Sequence, residues 1–524
     1  MSHLSLPVPL NAHAAQQAVL EDAATTCSSR KAFPVPNPTV SFWQRDLNIT
    51  PGPDFGSEGA FTMDVDICII GSGVTGVSAA YHLAKVFAKE NDLSRPIRAA
   101  ILEARDFCQP SRVSVLFWSD RSVAGRNGGH LTAAVHEGFA AREKLYGRDE
   151  ALREVALQQY NVSELLRTVR EANQEAELDV VSGGHVELFF SQKEFEDAKA
   201  DFAAAQSAGV DVRFVEWLTR EEVQAQYGAS YPGVRVPGNN LWPLKTVGLL
   251  YTLAKDLTPN FVLDLHTRTP ATAITRADDA ASGRRWSVET PRGRVACSHV
   301  LHATNAYISH LLPHLYGPSG VIPTRGQAFA VRAAAPADVI TKTAWSGNEG
   351  FEYWFPRPVK GTETTPLVIL GGGREMAKPR YGLYEVDDSV CDEAIGQAMR
   401  KFLPTVFPGK YEEGREPEVE WVRLARIFTV KTLFILVQSG IMGFTKTGDP
   451  FVGPVVDPSG DEKPFEGQYL SAGFSGHGMP RAFAWRVSAV LCAEAVAGMI
   501  ASSMLGRSWT IPDWLPRHYL TIKQ

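Results

Sequence analysis

Cysteine is sparse and scattered: Cys27, Cys68, Cys108, Cys297, Cys391 and Cys492 are the only six in 524 residues. They form no CxxC pair and no His/Cys group at metal-ligand spacing, so a disulfide scaffold and a structural zinc site are excluded. No metal is expected, and a reducing, cytoplasmic setting is the simpler reading. Long apolar runs are missing too. None reaches the roughly 18 residues that cross a bilayer; Val487 to Leu505 comes nearest but holds Cys492, Glu494 and Ser502, and reads as a buried helix. The opening residues, MSHLSLPVPLNAHAAQ, lack a basic stretch before an apolar one, so no export signal is expected. Ile522, Lys523 and Gln524 are not the small-basic-Leu peroxisomal address. Nor is there an excess of positive charge: 52 basic against 58 acidic residues leave a net −6, which draws neither nucleic acid nor anionic lipid. Neither partner is expected, and no internal repeat is visible.

What remains is an ordinary globular composition, 44% hydrophobic and 21% charged, long enough for a large core. The first 60 residues carry repeated Pro and Gly with little periodicity and read as a wrapping arm. Then DVDICIIG (Asp64 to Gly71) reads as a buried parallel strand ending in a tight turn. Val77, Ala80, Leu83 and Val86 recur at helical spacing within Val74 to Ala88, and Ile97 to Ala104 reads as a second strand. Strand, helix and strand make a βαβ unit. Further on, Leu152 to Ala172, Gln192 to Ala208 and the acidic start at Thr219 read as helical, and His185 to Phe190 as a strand.

The turn of that βαβ unit is Gly71-Ser72-Gly73-Val74-Thr75-Gly76. Gly71 permits the tight turn, Gly73 lets backbone approach a pyrophosphate, and Gly76 allows close helix-sheet packing; helix N-terminal amides face the anion. Glu103 ends the second strand, where a carboxylate accepts hydrogen bonds from both hydroxyls of an adenosine ribose. Dinucleotide binding follows. NAD and FAD share this fingerprint, so an NAD-dependent dehydrogenase stays open at this point.

Further blocks separate them. GSGVTGVSAAYHLA (Gly71 to Ala84), LEAR (Leu102 to Arg105), GRNGGHL (Gly125 to Leu131), ATNAY (Ala303 to Tyr307), PTRGQ (Pro323 to Gln327), LGGGRE (Leu370 to Glu375), GIMGFT (Gly440 to Thr445) and AGFSGHGM (Ala472 to Met479) occur in this order. The sequence thereby resembles the FAD-dependent amine and amino-acid oxidoreductases of the D-amino acid oxidase/glycine oxidase superfamily, and within it the gamma-glutamylputrescine oxidase-like branch.

The resemblance implies FAD as cofactor, held by Ala104 and Arg105 beside Glu103 and by Arg126, Asn127, Gly128 and Gly129 beneath the flavin. His130 follows them, either as an attachment point for flavin or as a hydrogen-bonded turn histidine. Ala303, Thr304 and Asn305 resemble a second cofactor turn. Gly473, Phe474, Gly476, His477, Gly478 and Met479 resemble the C-terminal flavin motif, whose backbone donors stabilise charge on the reduced ring; a structural role for His477 is the other reading. For substrate contact the candidates are Phe351, Tyr353, Trp354 and Arg357, aromatics against alkyl carbons and the arginine toward a carboxylate, with core packing an equal reading of the aromatics. Lys446 is a candidate for oxygen reduction, against a solvated surface role.

The expected reaction is oxidation of an amine or amino acid at its CH–NH bond to an imine, by hydride transfer to flavin N5, with oxygen as acceptor. A dehydrogenase with another acceptor and a flavin-binding protein without turnover are the alternatives. The expected fold is α/β, a doubly wound FAD-binding domain (61–180 with 241–325 and 440–510) carrying an α+β substrate domain (181–240 with 326–439), flanked by the arm (1–60) and a tail (511–524). Two segments, 109–125 and 422–438, are longer than the family's pattern. The second begins with Val and ends with Gln, residues encodable by GT- and -CAG. It reads either as an unspliced in-frame intron or as an extra strand.

Overall fold

The run Asp64–Ile70 is buried on both faces from its second residue, which only a central parallel strand requires. It pairs in parallel with Ile97–Leu102 on one side and Gly293–His302 on the other. The sheet continues through Phe261–His266 at one end and Gln468–Ala472 and Phe451–Pro454 at the other. In the computed structural model the described residues are 5–22, 32–35, 38–39, 42–45, 50–107, 128–277, 283–412, 438–476 and 489–522. The segment 109–125 and all of the segment 422–438 except Gln438 lie outside them, as do Arg126, Asn127, His477, Gly478 and Met479.

Three helices cover one face of this sheet. Val74–Phe87, Pro243–Asp256 and Ala489–Met504 bury Val77, Leu83, Leu244, Val247, Val496 and Ile500 in one cluster with Ile67, Ile69 and Ile101. The last is the apolar stretch that reads as a buried helix, and no described helix is long and apolar enough to cross a membrane. On the opposite face Trp286 and Val288, from an antiparallel ribbon, pack on Val65, Cys68 and Ile70.

A second sheet of eight strands runs in the order 438–444, 322–332, 367–372, 352–356, 344–347, 185–188, 233–236, 216–218. It is antiparallel except where Ala344–Gly347 lies beside His185–Leu188. Helix Glu393–Val406 packs Met399, Phe402 and Leu403 against Trp345 and Trp354 on one face, leaving the other for the cleft. The α/β class is as expected, but one domain boundary shifts. Gln438–Phe444 and Ile322–Arg332, assigned in part to the nucleotide-binding half, pair with each other inside the second sheet.

The arm holds more order than its Pro and Gly content suggests. His13–Glu21 is helical, with Leu20 buried beside Ile322, Leu383 and Phe444. Trp43 is fully buried in the nucleotide-binding core, its carbonyl accepting from Trp242 Nε1 at 2.9 Å. The arm thus touches both halves. The tail docks similarly, through buried Leu515 and Tyr519. Beside it Glu154, Asp449 and His518 come together, but the Arg142 guanidinium pairs with both carboxylates, so the cation there is already a side chain.

Candidate cofactor and substrate cleft

The ends of the two sheets enclose one continuous cleft with a cavity volume of about 240 Å³. Its wall on the nucleotide side starts at the glycine turn. Gly71 has φ +107°, and a Cβ there would lie 2.8 Å from the Ala303 carbonyl oxygen, so only glycine fits between the two central strands. A Cβ on Gly76 would overlap the Gly71 carbonyl. Gly73 differs: nothing lies within 4 Å of its missing Cβ, and it lines the cleft with Val74 and Thr75. That is open space over a helix N-terminus, the shape a diphosphate requires.

Glu103 lines the cleft as expected but is more committed than its sequence position indicates. Its Oε2 accepts from Ser72 N (2.9 Å) and Ser72 Oγ (2.7 Å), and its Oε1 from Arg105 N (2.9 Å). Four acceptor sites less three donors leave one for a ribose hydroxyl rather than two. Burial pushes this carboxyl above its ordinary range, against the pull of the Ser72 and Arg105 hydrogen bonds. Arg105 is buried and paired with Asp388 at 3.1 and 3.2 Å, so Ala104 and Arg105 border the cleft while the guanidinium joins the two halves.

Ala303, Thr304 and Asn305 follow the strand Gly293–His302 into the same cleft. Thr304 Oγ1 is buried without a hydrogen-bond partner among the described residues, a polar atom that a bound group would satisfy. Asn305 stands at φ +46° and turns its Oδ1 to the backbone of the last glycine block, accepting from Gly473 N at 2.9 Å. Gly473, Phe474 and Gly476 lie where the strand Gln468–Ala472 ends, and Phe474 and Gly476 line the cleft.

The second sheet supplies a floor of bare backbone. Gly326 registers opposite Gly440, and Gly372 opposite Gln327. Across them Tyr353 lays its ring where any side chain on Gly128 or Gly371 would stand. His130 is buried edge-on to Tyr353 and Phe355, with ring centroids 5.3 and 4.8 Å away. The Tyr353 ring fills the space left by the missing side chains of Gly128 and Gly371, while Gly326, Gly372 and Gly440 line the cleft. The open turn, the orphaned hydroxyl and the glycine floor together fit FAD.

The other sequence candidates are placed differently. Trp354 points to the far face and stacks on Trp345, because alternate strand residues face opposite ways. Arg357 is buried in an ion pair with Asp179, its guanidinium over Trp43 and Trp242 at 5.2 and 4.6 Å. It holds the arm rather than facing the cleft. Lys446 is exposed and outside the cleft wall, its carbonyl accepting from Gln17. A second arginine lining the cleft is Arg374, flanked by Phe351 at 5.3 Å and Phe444 at 4.9 Å. It lies in the LGGGRE block, and its signal was a lone arginine after three glycines. Behind it Glu352 accepts from Gly373 N and Asn348 Nδ2, both at 2.8 Å. Burial pushes the carboxyls of Glu352 and neighbouring Glu375 above their ordinary range.

This arrangement defines a two-domain flavoprotein with a cofactor cleft between a parallel sheet and a glycine-floored roof. The family described as FAD dependent oxidoreductase (DAO) matches residues 66–485. The chain belongs to that family, and FAD is its cofactor. Among solved structures it is similar to glycine oxidase from Geobacillus kaustophilus (16% identity, TM-score 0.58, covering 88% of this chain and 100% of that one). It is also similar to L-amino acid deaminase from Proteus myxofaciens (13%, 0.57, 93% and 97%) and L-proline dehydrogenase from P. horikoshii (16%, 0.55, 88% and 98%). At these identities the likeness is one of fold. No protein of curated function matches the chain in sequence.

Proposed function

We propose that this enzyme oxidises the CH–NH bond of an amine that carries a carboxylate, an amino acid or a close relative, and that Arg374 receives the carboxylate. The observation that carries this reading is the guanidinium of Arg374 in the cleft wall, between the rings of Phe351 and Phe444. A planar fork of donors suits a carboxylate, and flanking aromatic faces hold the fork in one plane. FAD, when bound, supplies the hydride acceptor. Tyr353 then lines the substrate's path over the glycine floor, and with Phe351 it keeps water from the reacting carbon. The amine binds uncharged, and water hydrolyses the product imine.

Oxygen as acceptor, a cytoplasmic setting and the gamma-glutamylputrescine oxidase-like branch belong to the same proposal. The ordered motif blocks support the branch, and the buried, unbridged thiols of Cys68, Cys297 and Cys492 support the setting. Arg126, Asn127, His477, Gly478 and Met479 are proposed as further FAD contacts on the motif resemblance. The relatives named glycine oxidase and L-amino acid deaminase are consistent with a carboxylate-bearing substrate.

The test is Arg374→Met. Loss of a bidentate charged contact is expected to lower kcat/KM for an amino acid by roughly 100-fold, mostly in KM, while an amine without the carboxylate is unaffected. Equal losses for both substrates would remove Arg374 from carboxylate recognition.

A further inference from the structure

Phe33 is a large apolar residue left 39% exposed, yet the chain is anchored on either side of it. Ala32 is fully buried with Ala306, Tyr307 and Ile441. Further along, Thr39 N donates to the Asp388 carbonyl at 2.8 Å, and Asp388 is the residue that holds Arg105. Trp43, beyond that, is sealed in the core against Trp242 and Phe355. An exposed ring on so tethered a segment is displayed rather than merely left outside.

Its surroundings say what it faces. The ring of Phe33 meets that of His310, centroids 4.5 Å apart and planes at 50°, and both residues line the cofactor cleft together with Pro34. The next residue, Leu311, packs in the cluster of Ile70, Leu102 and Ala271. Ile70 and Leu102 end the two central strands, directly before Gly71 and Glu103. In a nucleotide-binding fold that corner takes the adenosine half of a dinucleotide.

The geometry points to Phe33 as an adenosine-binding residue: with Pro34 and His310 it lays an apolar face on the adenosine half of FAD and keeps the cofactor from leaving. A purine offers a flat π surface, and stacking on an aromatic ring holds it without hydrogen bonds. The contact comes from the arm, outside the family match that begins at residue 66. Because the arm also packs on the second sheet, through Val8 and Leu20, the same segment that covers the adenosine is tied to the substrate side.

The experiment measures FAD release from the full-length holoprotein by fluorescence, for wild type, Phe33→Ala and Phe33→Tyr. Phe33→Ala is expected to release FAD about tenfold faster, and Phe33→Tyr at the wild-type rate. Displacement locates the contact. ADP keeps the adenosine half, so the ADP concentration that displaces half the FAD is expected to be the same in Phe33→Ala and wild type. FMN lacks that half, so its midpoint is expected to fall about tenfold in Phe33→Ala. Unchanged FAD release, or an FMN midpoint that does not move, would overturn the assignment. The partial exposure of Phe33 means its truncation opens no core cavity, and an unaltered far-UV circular dichroism spectrum checks that.

Discussion

The side-chain oxygen of Asn305 accepts hydrogen bonds from the backbone N–H groups of Gly473 and Phe474, at 2.9 and 3.3 Å. One residue therefore fixes two turns that border the cleft, although they lie 168 residues apart. Its φ of +46° suits asparagine better than most residues.

Asn305→Leu is expected to strand those two donors and to strain the backbone, lowering stability by about 2–3 kcal/mol and speeding FAD loss. Asn305→Asp keeps both the acceptor and the backbone preference, and is expected to stay nearer wild type. Thermal unfolding with flavin fluorescence as a second signal checks both.

The glycines of the turn are expected to separate into two kinds. Gly76→Ala drives a Cβ into the Gly71 carbonyl, a backbone atom that cannot move aside, and costs several kcal/mol. Gly73 has an ordinary φ of −67° and open space beside it. Gly73→Leu is therefore expected to fold within about 0.5 kcal/mol of wild type yet to purify without FAD. Circular dichroism and the flavin absorbance of the same sample read the two effects apart.

Two arginines of the second sheet make opposite predictions. Arg357→Met leaves Asp179 buried, with Lys360 Nζ still 2.6 Å away, and is expected to cost about 3 kcal/mol with KM nearly unchanged. Arg374→Met is expected to spare stability and raise KM. Denaturant melts beside steady-state kinetics distinguish them.

Asp201 sets a pH dependence. Its carboxylate accepts from Gly138 N and Ala140 N at the start of helix Phe139–Tyr146, but burial, the larger effect, raises its pKa from 3.8 to about 6. Folding thus favours the protonated form. This contribution to stability is complete below pH 4 and is lost as pH rises through 6. The unfolding temperature of wild type relative to Asp201→Asn is expected to fall across that window; a flat difference would contradict it.

Much of the nucleotide-binding half was legible because its signals are local. The Asp64–Ile70 strand, the glycine turn and the helix Val74–Phe87 are adjacent in sequence, and the Thr219–Glu222 capping box announces its helix outright. The cleft's other wall was not. Period-two alternation puts Tyr353 and Trp354 on opposite faces, but nothing local says which face meets the cofactor. The pairing of Arg357 with Asp179 spans 178 residues, so the sequence offered it as readily to a substrate as to the core. Arg374 has no local signal beyond the glycines before it, because its aromatic neighbours, Phe351 and Phe444, come from distant strands and loops. Helix His13–Glu21 is hidden in the sequence for the same reason: its order comes from packing on Ile322 and Phe444, not from its own periodicity.

The most direct test is anaerobic mixing of the yellow holoprotein with an amino acid, in protiated and α-deuterated forms, followed at the flavin absorption band. The cleft described above predicts bleaching with the protiated substrate and a several-fold slower loss of colour when the α-hydrogen is deuterium. A folded protein that binds no FAD, or a colour that persists with every carboxylate-bearing amine, would contradict it.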